Sequence, residues 1–91
     1  MEKRKTEDLI PELFDTILKL KTQEDCASFF ADLCTDKEIE QMAQRLAAAR
    51  LLHEGKTYVQ VIDEVEISSA TLSRVSRCIR YSDGYNRMLD R

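Results

Sequence analysis

The residues best suited to binding chemistry in this chain lie in one stretch, EISSATLSRVSRCIR, from Glu66 to Arg80. It carries Arg74, Arg77 and Arg80 with no acid after Glu66, and Ser68, Ser69, Thr71 and Ser73 lead into them. Guanidinium groups reach phosphates, and small side chains at a helix start let its first turn approach base edges. With about 100° of rotation per residue, Leu72, Val75 and Ile79 point to one side of a helix. Ser69, Ala70, Ser73, Arg77 and Arg80 share an arc roughly 100° wide on another side, and Thr71, Arg74 and Cys78 form a third stripe. Each feature also has a purely structural explanation: serine is a good N-cap, and arginines late in a helix complement its dipole. What favours DNA binding is the short helix that precedes this one across a tight EIS connection. Two short helices with apolar residues at both crossing positions make a helix-turn-helix.

No other constellation competes. The single histidine, His53, ends a helix, where a cation complements the dipole. No Ser–His–Asp set, metal-ligand pair or phosphate loop accompanies it. Cys26, Cys34 and Cys78 are odd in number and lack CxxC spacing, as expected of reduced thiols in a cytoplasmic protein. The sequence therefore predicts no catalytic residue, no metal site and no cofactor. Tyr58, Tyr81 and Tyr85 read as packing residues.

The elements that must position the arginines are all helical. The chain has 91 residues, 43% hydrophobic and 34% charged, which fits one globular domain. Gly 2 and Pro 1 leave almost no punctuation for hairpins, and no alternating pattern marks a strand. No apolar run approaches the length that spans a bilayer, so no membrane partner is expected. The opening MEKRKTEDLIPELF meets acids directly after its basic residues and does not read as a signal peptide. The net charge of −3 hides an asymmetry. Six basic residues face eleven acids up to Gln44, whereas eight face six from Arg45 onward. An acidic total argues against indiscriminate nucleic-acid binding but leaves room for a local basic face.

Leu9, Ile10, Leu13, Phe14, Ile17 and Leu18 recur at helical spacing and predict a helix over Thr6 to Leu20, with Pro11 tolerable only in its first turn. Thr22 can cap a second helix presenting Cys26, Phe29, Phe30 and Leu33. TDKE at Thr35–Glu38 is a capping-box pattern opening a third helix, apolar nearly all round in its second half. A chain this short can hardly enclose such a helix alone, so a second subunit is expected to cover it. Gly55 ends that helix in an αL cap. TYVQ at Thr57–Gln60 opens the next helix, Ser68 caps the arginine-bearing one, and Ser82 is placed to start a last one. The expected organisation is a single domain over 1–91, with dimerisation helices over 1–54, the helix-turn-helix over 57–80 and a C-terminal helix over 82–91.

The segments TDKEIEQMAQRLAAARLLHEGKTY and SSATLSRVSRCIRYSDGY resemble the YerC/YecD group of proteins related to the tryptophan operon repressor. The resemblance runs from about Thr35 to Tyr85, and the helix order extends it over nearly the whole chain. It implies an all-α, six-helix intertwined homodimer that binds double-stranded DNA at a palindromic operator as a transcriptional regulator, a repressor by type. A helical interaction dimer that kept the fold without DNA binding is the alternative, favoured by the lack of basic residues in TYVQVIDEVEI. By resemblance, Ser69, Ala70 and Ser73 match base-facing positions, and Thr71 and Arg80 match phosphate contacts. Thr35, Arg45 and Arg74 match polar residues around the tryptophan pocket of that repressor. Several positions depart from it. Val75 replaces a glycine beside the ligand, Cys78 replaces a serine, and Asp32 and Cys34 replace leucines of the pocket wall. Tryptophan binding is therefore not expected. Glu66 stands where a turn glycine is usual, and Ile62 where a small residue often lies at the helix crossing.

Overall fold

The computed structural model describes residues 2–90. Six helices follow one another: α1 (Thr6–Ile17), α2 (Gln23–Leu33), α3 (Asp36–His53), α4 (Tyr58–Glu64), α5 (Ser69–Tyr81) and α6 (Gly84–Leu89). Among the described residues there is no strand, so the all-α expectation holds. The chain forms two compact units that divide between Thr35 and Asp36.

In the N-terminal unit, α1 stops at Ile17, short of the Leu20 expected from its apolar spacing. Lys19 N–H bonds Thr16 O at 3.1 Å and Leu20 N–H bonds Ile17 O at 3.0 Å, so the chain tightens into three-residue turns there. Pro11 is the sixth helical residue and so lies beyond the first turn, contrary to the sequence reading. Having no N–H, it leaves the Glu7 carbonyl without its helical donor. The Arg4 guanidinium lies 2.6 Å from Glu12, and that hydrogen bond, reinforced by the carboxylate charge, raises the Arg4 pKa. α2 is capped as expected: Thr22 Oγ1 accepts from Asp25 N–H at 3.0 Å. Phe29 and Phe30 meet edge to face with ring centres 5.6 Å apart. Despite clear amphipathic spacing, neither α1 nor α2 has a buried residue, and Phe14 remains 58% exposed.

The C-terminal unit has a small core of Ala48, Ala49, Val61, Leu72 and Val75. α3 packs against α4, α5 and α6, and α5 packs against α6. Ala48 and Ala49, both fully buried, allow the backbone of α3 to approach its neighbours closely. Met42 and Leu46 of the same helix remain exposed. α3 ends in a Schellman motif: Lys56 N–H bonds Leu51 O and Gly55 N–H bonds Leu52 O, both at 3.0 Å. Gly55 takes φ +93°, as its place in the cap requires.

Two expectations at the turn need correction. No non-glycine residue among those described has positive φ, so Glu66 carries no backbone strain in place of glycine. Ile62 is 48% exposed, and Val61 is the α4 residue that enters the core. A one-residue difference on a helix rotates the side chain by about 100°, which is why the close crossing falls to Val61. Ser82 also differs from expectation. Its N–H still bonds Cys78 O at 2.9 Å, so it closes α5, and Asp83 takes the N-cap position of α6 without a side-chain cap.

Candidate nucleic-acid interface

The start of α5 is fixed by local chemistry. Ser68 Oγ accepts from Thr71 N–H at 3.2 Å and donates to Thr71 Oγ1 at 2.9 Å. α4 before it is held by a full capping box, Gln60 N–H to Thr57 Oγ1 at 3.2 Å and Thr57 N–H to Gln60 Oε1 at 2.8 Å. Leu72, Val75 and Ser76 are buried and anchor the inner side of α5. The opposite side carries Ser69, Ala70, Ser73, Arg77 and Arg80, all exposed, as the wheel predicts. Thr71 is half-buried at the edge, its hydroxyl already accepting from Ser68.

Arg74, Arg77 and Arg80 make no ion pair among the described residues. Three guanidiniums on one short helix therefore keep their charge uncompensated, and a polyanion is the partner such a face suits. α4 contrasts with it. It has no basic residue; its Asp63 and Glu64 are exposed, as are its Tyr58, Val59 and Ile62, and Glu66 beyond its end is exposed too.

Of the residues matched to an effector pocket, Arg45 and Arg74 line separate cavities. Arg45 is half-buried and lines a cavity of about 410 Å³ with Gln44, Glu66, Ser68 and Thr71. Arg74 is exposed and lines another, of about 320 Å³, with Arg77, Cys78, Tyr81 and Ser82. Thr35 is exposed at the end of the N-terminal unit. Val75 is 1% exposed and packs within the core.

Two features were not read from the sequence. His53 does more than end a helix: its Nδ1 lies 3.0 Å from Asn86 Oδ1 and its Nε2 2.7 Å from Asp90 Oδ1, joining α3 to α6. Asn86 Nδ2 in turn donates to Ile79 O at 2.8 Å, which ties α6 to α5. No spacing rule announces a contact between residues so far apart in the chain. Tyr81, expected to pack, is instead 81% exposed. It ends α5, where the apolar side of the helix runs out. Among the described residues there is no group of three or more His, Cys, Asp or Glu placed to hold a metal ion, and no helix long and apolar enough to cross a membrane.

Comparison with known proteins agrees with this architecture. The family model described as Trp repressor protein matches residues 9–91. The protein YerC of Bacillus subtilis (strain 168) is 51% identical over 83 residues, covering 90% of this chain and 80% of YerC. A crystal structure of a Trp repressor candidate from Staphylococcus aureus superposes with a TM-score of 0.86 at 40% identity, over 97% of this chain and 93% of that one. A TrpR-like protein from Eubacterium eligens ATCC 27750 also gives 0.86, at 37% identity, over 91% of this chain and 87% of that one. On the match over residues 9–91 and the likeness to these relatives, the chain belongs to the Trp repressor family.

Proposed function

We propose that the protein is a cytoplasmic transcriptional regulator, a repressor by type, that binds a palindromic double-stranded DNA site as a homodimer. The carrying observation is the outer side of α5, where small residues at the helix start adjoin arginines without a carboxylate partner. In this reading Ser69, Ala70 and Ser73 meet base edges, while Thr71, Arg77 and Arg80 meet phosphates. Two copies of α5 would enter successive major grooves about 34 Å apart.

The dimer is supported by the N-terminal unit, whose α1 and α2 are amphipathic and have no buried residue. It is supported equally by Met42 and Leu46, exposed on a helix whose Ala48 and Ala49 are fully buried. Residues 1–54 would then serve dimerisation, 57–80 DNA contact and 82–91 closure of the C-terminal unit. Tryptophan is not expected as effector, because Val75 stands where the resembled repressor has a glycine beside the ligand; Thr35, Arg45 and Arg74 are candidates for another ligand. A second reading, a helical interaction dimer without DNA binding, is favoured by the acidic, apolar surface of α4. Selection of bound sequences from random double-stranded DNA separates the two. Enrichment of an inverted repeat with half-sites about one turn apart supports the first, and no enrichment at low salt supports the second.

A further inference from the structure

A second group of side chains lies on the flank of α5, beside the face assigned to bases. Arg74, Arg77, Cys78, Tyr81 and Ser82 line an open cavity of about 320 Å³. Its polar lining consists of two guanidiniums, a phenol, a hydroxyl and a thiol, and no carboxylate takes part. Neither arginine makes an ion pair among the described residues. The Tyr81 ring is not held there by burial, so its hydroxyl is free to orient. Carbonyl groups at the end of a helix would ordinarily repel an anion. Here they are partly satisfied, because Asn86 Nδ2 donates to Ile79 O at 2.8 Å and Ser82 O at 3.4 Å.

We infer that this cavity is a phosphate site, in which Arg74 and Arg77 hold the charge and the Tyr81 and Ser82 hydroxyls donate to the remaining oxygens. A tetrahedral oxyanion matches donors arriving from several directions, whereas a planar carboxylate would leave some of them unpaired. Arg45 takes no part in it and lines the other cavity. The phosphate has two sources, the DNA backbone or a free phosphate-bearing small molecule. The first source rests on the DNA-binding reading, and the second does not.

The test uses the full chain, labelled with nitrogen-15 and titrated with inorganic phosphate against sodium chloride at matched ionic strength. Amide resonances over residues 77–82 should shift with phosphate and saturate. Arg74→Gln should weaken that binding about tenfold or more, and Tyr81→Phe by a smaller factor. Both side chains are exposed, so circular dichroism and melting should show an unchanged fold. In a second arm, the salt dependence of binding to a selected DNA is compared between the parent and Arg74→Gln. A slope smaller by about 0.9 per subunit identifies the DNA backbone as the source. An unchanged slope, or absence of DNA binding by the parent, together with saturable phosphate shifts, identifies a free phosphate and leaves the site standing. Shifts no larger with phosphate than with chloride, or unaltered by either substitution, overturn the inference whatever the DNA result.

Discussion

Replacing Val75 by alanine tests the reasoning about the core. The side chain is 1% exposed and lies among Ala48, Ala49, Val61 and Leu72. Removing two buried carbons at about 0.8 kcal/mol each, with a residual cavity, costs roughly 2–3 kcal/mol. Alanine recovers about 0.5 kcal/mol as the better helix former, leaving a net loss of about 2 kcal/mol. For a domain of this size that corresponds to a melting point lower by about 10 °C. The assay is thermal and urea denaturation by circular dichroism at one fixed protein concentration, because association would shift the midpoint. Ser73→Ala, on the exposed side of α5, is the control and should change stability by less than about 0.5 kcal/mol. If Val75→Ala lost no more than that control, Val75 would not be packed in a core.

Further outcomes are expected. Unfolding midpoints of the parent should rise with protein concentration; a concentration-independent midpoint together with a monomer by sedimentation would refute the dimer. Arg80→Ala should weaken all DNA sequences about equally and lower the log–log salt slope by about 0.9 per subunit, whereas Ser73→Ala should change which sequence is preferred. Titration calorimetry with tryptophan should give no micromolar binding, since overfilling a packed site costs about 1–3 kcal/mol, or tenfold to a hundredfold in affinity. Gly55→Ala should cost about 1 kcal/mol through backbone strain alone, because φ is +93° while an added Cβ meets nothing within 4 Å. An unchanged melting point would show that the αL cap is not held.

Helix number, type and most starts were legible in the sequence because capping is local. Thr22, Thr57 and Ser68 each act within three residues, and their geometry follows from residue type. Helix ends were less legible. The tightening after Ile17 and the continuation of α5 to Tyr81 depend on carbonyl partners that apolar spacing does not encode. The outer side of α5 could be read because its buried counterpart repeats at helical spacing. Val61 against Ile62 could not, since two adjacent aliphatic residues are equivalent until a neighbouring helix chooses one. The His53–Asn86–Asp90 network and the exposure of Tyr81 are properties of packing between distant segments. They left no mark at any fixed spacing.

The division of α5 into an anchored inner side and an unburdened outer side bears on how such a chain can change over generations. Leu72, Val75 and Ser76 are enclosed, and mutations there are filtered by stability before any contact is tested. Ser69, Ala70 and Ser73 touch no core, so exchanging them costs the fold little. Descendants of one sequence can thus wander through different outer residues while the scaffold stays the same. Nearby, the fully buried Ala48 and Ala49 admit nothing larger without driving α3 off its neighbours, at about 1–3 kcal/mol. Variation is channelled away from the seam between helices and onto the surface that meets the outside world.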